Sequence, residues 1–305
     1  MSIPKTKEPS LRDGHHRPLQ TTTSELETAR KPANGASPMY AERLKKLYAA
    51  GLRCRIVHDE VRKWAPALHT WQGFESIVSG AAVHLNPQDL VAPSPFEPFA
   101  RLVQGASFDD CIAGLSSHGK SGDHQPRSSY DRGNSSAAEQ FTLAAGMALA
   151  SKMLSKNLVT LSIAHGDDSP GFWREAVLFA AARKLPVVFI NTGRRGATDR
   201  ESIRSQAQQF LPAITVDGSD AVAVYRVAEE STRRARQGLG PSLIECQICG
   251  TEDPISFMEN YLKRRNLWSD AWKQDLERKY RREAESAAKK HSGKKLSRRN
   301  PSLAS

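Results

Sequence analysis

Only four cysteines occur in 305 residues, so no disulfide framework holds this chain together, and reduced thiols are expected. Aromatic residues make up 7%, and no uninterrupted apolar run is long enough to span a bilayer. The N-terminus lacks the charged start and apolar core of a secretory signal. These absences exclude a disulfide-rich scaffold and a helical membrane protein, and point to a cytoplasmic location. What remains is an ordinary globular composition, 39% hydrophobic and 25% charged, in a chain long enough to bury a large core without staples.

The net charge of +11 is unevenly spread. Residues 281–305 hold eight Lys/Arg against two Glu, and residues 1–38 hold six against four acids. The excess therefore lies largely at the C-terminus, where Lys294, Lys295, Arg298 and Arg299 alternate with Ser, Asn and Pro. Such a run reads as a solvated tail, and nucleic acid is not the expected partner. Residues 1–38 show no apolar period and read as a disordered leader, residues 39–288 as one folded domain, and residues 289–305 as the basic disordered tail.

Apolar residues from Tyr40 to Val57 recur at helical spacing, and further helices are expected over 74–85 and 107–115, separated by the turn Ala92-Pro93-Ser94-Pro95. The second half then alternates. Helices over 137–153, 173–183, 199–210 and 219–237 are each followed by a short apolar run, at 158–164, 185–190, 213–216 and 242–248. That alternation predicts βαβ units and an α/β fold, a parallel sheet flanked by helices. Two helices, over 255–265 and 269–288, close the pattern. In such a sheet chemistry gathers at the carboxyl ends of the strands, here beside His165-Gly166-Asp167-Asp168, Asn191-Thr192-Gly193-Arg194-Arg195, Asp217-Gly218 and Cys249-Gly250-Thr251.

An ordered series of motifs is more specific than any of these alone. It comprises Gln72-Gly73-Phe74-Glu75, Leu85-Asn86-Pro87-Gln88-Asp89, Gln140 with Ala144-Ala145-Gly146-Met147-Ala148-Leu149-Ala150, Gly166-Asp167, Lys184-Leu185-Pro186-Val187-Val188-Phe189, Asp217-Gly218-Ser219-Asp220, Gly240-Pro241-Ser242-Leu243-Ile244-Glu245 and Asp253-Pro254-Ile255. The series resembles the α subunit of thiamine diphosphate-dependent 2-oxo acid dehydrogenases, the pyruvate dehydrogenase E1 type, over roughly residues 39–288. The resemblance implies the thiamine-diphosphate-binding fold and oxidative decarboxylation of pyruvate or a related 2-oxo acid. It also implies thiamine diphosphate and magnesium as cofactors, an E1 β-like partner in a heterotetramer, and a lipoyl-bearing E2 as acyl acceptor.

Carried over residue by residue, the resemblance makes Gly166, Asp167 and Gln140 cofactor-binding, with Asp167 a metal ligand. Departures are equally specific. The family's Gly-Asp-Gly is Gly166-Asp167-Asp168 here, so Asp168 either adds a metal ligand or repels the diphosphate. Gly193 and Arg194 stand where the signature's paired asparagines belong. Asn191, two residues earlier and on the same side of an extended strand, is the substitute metal ligand by parity, and Arg194 is the alternative, a cation that holds the anion directly. The family's Tyr-Arg and nearby His are replaced by Pro95-Phe96-Glu97-Pro98-Phe99, the Gly-His-Ser loop is missing after Cys249, and His124 is the remaining acid/base candidate. Scaffold residues persist while diphosphate-holding residues change, so impaired cofactor binding is expected. The alternative is a non-catalytic assembly or regulatory paralogue pairing with a β-like chain.

Other motifs read more plainly. Cys246-Gln247-Ile248-Cys249 lacks two further ligands for structural zinc and follows a strand, so buried thiols are expected. His165 either joins Asp167 and Asp168 at a metal or packs on its neighbours. Trp268, Trp272 and Leu276 read as helix packing, and the arginines of the 219–237 helix as its solvated face.

Overall fold

The computed structural model describes residues 38–63, 73–116, 136–165, 172–194, 203–248 and 253–292. Two compact units divide the chain, Met1–Tyr40 and Ala41–Ser305, and nearly every described residue belongs to the second.

In chain order the helices are α1 (Pro38–Arg62), α2 (Glu75–Ala82), α3 (Glu97–Gln104), α4 (Phe108–Ser116), α5 (Ala137–Met153), α6 (Phe172–Ala182), α7 (Ile203–Ala207), α8 (Ala221–Arg236), α9 (Pro254–Arg264) and α10 (Asp270–Ser292). The strands are β1 (Leu90–Val91), β2 (Thr160–His165), β3 (Val187–Arg194), β4 (Ala213–Asp217) and β5 (Ser242–Ile248). They form one five-stranded sheet in the order β1-β2-β3-β5-β4, every neighbour parallel. This is the expected α/β architecture, and its cause is compositional. Val187, Val188, Phe189 and Ile190 are all fully buried, as only a strand covered on both faces requires.

Helix α5 begins with a capping box. The Ser136 side chain accepts from the Glu139 amide and Glu139 reaches back to the Ser136 amide, which satisfies two orphan donors at once. Its small residues Ala144, Ala145 and Ala148 let it lie close to the sheet, in the same core as Phe141, Phe189, Trp173 and Leu243. On the other side α2 is buried along its whole length. It meets α8 so closely that a Cβ on Gly80 would sit 2.8 Å from that of Val224. The Ser76 hydroxyl donates to the Gly218 carbonyl, which ties α2 to the turn after β4.

Two elements differ from the sequence expectation. The Pro-rich stretch contains β1 and then α3, eight residues long, too short to declare a period. Its Pro98 stands in the first turn, where a missing N–H costs nothing. The 199–210 helix reduces to α7, since Gln208–Leu211 turn toward Pro212. Helix α10 runs through Lys289 to Ser292, into the segment assigned to the tail, with Lys290 3.4 Å and His291 3.2 Å from Asp109.

Arg236 corrects another expectation, because its guanidinium turns inward rather than to solvent. It lies 2.6 Å from Asp89, whose side chain is fully buried and also accepts from the amides of Asn86 and Val159. As expected, Trp268 and Trp272 pack edge to face at 6.0 Å and both stack on Tyr48 of α1.

His84, at the end of α2, is held by the Thr232 hydroxyl at 2.9 Å. Burial lowers its pKa to about 4, against smaller raising contributions from Glu229, the Gly80 backbone and Asp89. The unfolded chain therefore binds a proton more readily than the folded one between about pH 6.5 and pH 4, and stability falls as pH falls through that window. Urea titrations should show about 3 kcal/mol lost from this group between pH 7 and pH 4, a slope that His84→Gln flattens.

Candidate functional site

The parallel register aligns the carboxyl ends of the strands in two rows, one on each face of the sheet. Thr192 stands opposite His165 on one side and Cys246 on the other. One residue earlier, Ala164, Asn191, Glu245 and Thr215 form a continuous row from β2 to β4. Because side chains alternate along a strand, the two rows face opposite ways.

On the first face the His165 Nδ1 and the Thr192 hydroxyl are 3.0 Å apart. The imidazole stands edge to face with Phe74, ring centres 5.2 Å apart at 86°. Phe74 in turn packs on Phe96 at 5.4 Å, and Phe96 is 1% exposed. The backbone explains how Phe96 arrives there. Leu90 and Ala92 donate to the carbonyls of Val159 and Leu161, the Ser94 hydroxyl accepts from the Phe96 amide, and Phe96 then caps α3. His165 thus packs on its neighbours, one of the two readings its sequence context allowed.

The second face is polar. Glu245 accepts from the Thr215 hydroxyl at 3.1 Å and from the Gln247 amide at 3.3 Å. Asn191, 6% exposed, points inward with its Oδ1 lacking a hydrogen-bond partner among the described residues. Gln140 is also buried, in the first turn of α5. Its neighbour Phe141 meets Phe189 at 4.8 Å, which sets that turn against β3. Asn191 and Gln140 therefore both lie beneath the sheet on the α5 side. Arg194 ends β3, its backbone paired with Ile248. His124, Gly166, Asp167, Asp168 and Cys249 lie outside the described residues. The Cys246 thiol is fully buried and its pKa is pushed up by that burial, then by Glu245 and Asp217.

A neighbouring constellation joins three helices. Arg55 of α1 donates to Glu75 at 2.5 Å and to Asp253 at 2.6 Å, so one guanidinium ties the starts of α2 and α9 to α1. Asp253 also caps α9 through the Ser256 amide.

Matching against family models decides the lineage: residues 55–249, well over half of the chain, match the dehydrogenase E1 component. The chain belongs to the dehydrogenase E1 component family. Among its relatives, the acetoin:2,6-dichlorophenolindophenol oxidoreductase α subunit of Bacillus subtilis is 34% identical over 200 residues, 59% of this chain and 60% of that one. The pyruvate dehydrogenase E1 α subunit of Acholeplasma laidlawii is 29% identical, covering 67% and 69%. The 2-oxoisovalerate dehydrogenase α subunit of B. subtilis is 27% identical, covering 69% and 77%. The chain thus spans about three fifths of the first relative's length and more of the other two.

Thiamine diphosphate, the cofactor that the dehydrogenase E1 resemblance implies, can be tested against the residues present. A strongly anionic diphosphate with its divalent metal requires oxygen ligands and nearby cations. Among the described residues no group of three or more His, Cys, Asp or Glu is placed to hold a metal ion. At the position of the family's arginine stands a phenylalanine packed on a second one. The described part of the site does not fit a magnesium-bound diphosphate.

Sequence reasoning missed the packed aromatic pair and the Glu245 row. For Glu245 a signal was present, a carboxylate inside an otherwise apolar strand run. The Phe74–Phe96 contact had none, since 22 residues separate the partners.

Asn191 supports a direct test. An inward amide with an unmet acceptor costs stability, about 1–3 kcal/mol where nothing is bound. Asn191→Leu should therefore leave the unfolding free energy of the isolated chain unchanged or raise it by about 1 kcal/mol in urea titrations. A loss would mean that the amide is engaged.

Proposed function

We propose that this chain is the α-subunit-like component of a thiamine diphosphate-dependent 2-oxo acid dehydrogenase, pairing with an E1 β-like chain, with impaired hold on the cofactor. The assembly's reaction would be oxidative decarboxylation of pyruvate or a related 2-oxo acid, with a lipoyl-bearing E2 as acyl acceptor, in a cytoplasmic setting. No helix among the described residues is long and apolar enough to cross a membrane. The relatives' names support the subunit reading. The burial of Phe96 against Phe74, where a diphosphate would meet a cation, supports the impairment. Losing one charge-assisted pair, worth about 2–3 kcal/mol, weakens binding by roughly 30- to 150-fold.

In this reading Asp167, Asp168 and Asn191 are the candidate metal ligands, and Gly166, Gln140 and Arg194 the candidate cofactor contacts. His124 is the acid/base candidate. When bound, the cofactor supplies the carbanion-stabilising chemistry of decarboxylation. What the described residues do is hold the scaffold and keep water from the strand ends, Phe74 and Phe96 covering the His165 side. The same substitution favours a second reading, a non-catalytic assembly or regulatory paralogue, because the sheet and its helices are intact while a charge-bearing position has become apolar.

The chain purified from its own cells with magnesium should carry substoichiometric thiamine diphosphate, measured per copy, with a β-like chain in the same preparation. Near-stoichiometric cofactor would refute the impairment and direct attention to Asp167, Asp168 and Asn191. Absence of cofactor with the β-like chain still attached would favour the paralogue reading.

A further inference from the structure

Beside Phe96, on the side away from His165's hydrogen bond, a recess opens between α1, the start of α2 and α3. It is lined by Cys54, His58, Phe74, Glu75, Phe96 and Phe99, with Val78 at its side, and its empty space is about 240 Å3 with its mouth included. Three phenyl rings and a valine make the wall apolar. The Cys54 thiol adds no charge, because burial pushes its pKa up, helped by Glu75.

Glu75 is already committed. One carboxylate oxygen accepts from Arg55 and the other from the Gly73 amide, at 2.5 and 2.9 Å. His58 is not. It stands on the apolar stripe of α1, one turn after Cys54, 3% exposed. Neither of its ring nitrogens has a hydrogen-bond partner among the described residues. The nearest carboxylate, Asp59, lies 3.8 Å from Nδ1, beyond hydrogen-bond reach. A buried imidazole carries one donor and one acceptor when neutral, and leaving both unmet is costly. An apolar recess with a single convergent polar group is the ordinary make-up of a small-molecule site.

We propose that this recess binds a small uncharged molecule with an apolar ring and one hydrogen-bonding group, which His58 meets. The proposal rests on the impaired-cofactor reading and gives the altered region a ligand class opposite to a diphosphate. The recess offers no cation to an anion, since the Arg55 guanidinium is spent on Glu75 and Asp253. A committed carboxylate on its wall further disfavours negative charge. Phe96, which closes the diphosphate position on one side, forms the wall of the recess on the other. One substitution thus both removes an anion contact and completes an apolar pocket.

Phenol and toluene, alike in size and differing in the hydroxyl, are the probes. Titrated into the full chain and followed through the His58 ring resonances, phenol should bind saturably and about tenfold more tightly than toluene. His58→Leu keeps the volume and removes an unmet polar group, so it should fold, and phenol should then bind no better than toluene. Lack of saturable phenol binding to the wild-type chain overturns the proposal, as does a phenol preference that survives His58→Leu. Thiamine diphosphate with magnesium, titrated separately, tests the underlying reading. Its saturable binding overturns that reading and the proposal with it, whereas failure of phenol and of thiamine diphosphate together overturns the proposal alone.

Discussion

A single buried carboxylate holds together the part of the fold on which the site depends. Asp89 has no exposed side-chain surface, and it accepts from two backbone amides and from Arg236. Burying a charge is tolerable only when it is fully paired and hydrogen-bonded, and here the pairing reaches three separate pieces of chain. The Asn86 amide closes the turn before β1, the Val159 amide fixes the approach to β2, and Arg236 anchors the end of α8. With Asp89 in place, Leu90 and Ala92 pair with the edge of β2, and the chain that follows has little choice of direction. Four residues beyond Ala92, Phe96 is delivered over Phe74.

The consequence for function is a change of solvent character at one end of the sheet. In a parallel α/β sheet the carboxyl edge is where ligands bind, because loops and helix N-termini converge there. This chain keeps that geometry but divides it chemically. One face carries an aromatic layer of Phe74, Phe96 and His165. The other carries the polar row of Asn191, Glu245 and Thr215. A strongly charged cofactor and its metal match the second character and not the first, which is why the described residues argue for weakened or altered ligand binding rather than for loss of the fold.

Much of the fold was legible in the sequence because its elements are long and regular. Helix α5 was readable to the residue, since its capping serine, its alanine stripe and the strand after it all agree. The sheet was legible through four apolar runs spaced by helices. The short elements β1 and α3 were not, because two and eight residues carry too little periodicity and the surrounding prolines read as a turn. Arg236 was misread for a different reason. A helical arginine is usually solvated, and only the arrival of Asp89 from 147 residues earlier in the chain makes the inward rotamer favourable.

The sequence by itself determined the fold class, the family resemblance and the replacement of a cationic motif by Pro95-Phe96-Glu97-Pro98-Phe99. These are properties of local pattern and of residue identity in order. Tertiary structure alone decided what the replacements do: that Phe96 is packed rather than exposed, that Asn191 points inward beside Glu245, and that His58 faces a recess with neither ring nitrogen satisfied by the described residues. Each of those facts depends on which distant segment meets the side chain, and burial, pairing and desolvation are settled only when the segments are packed together.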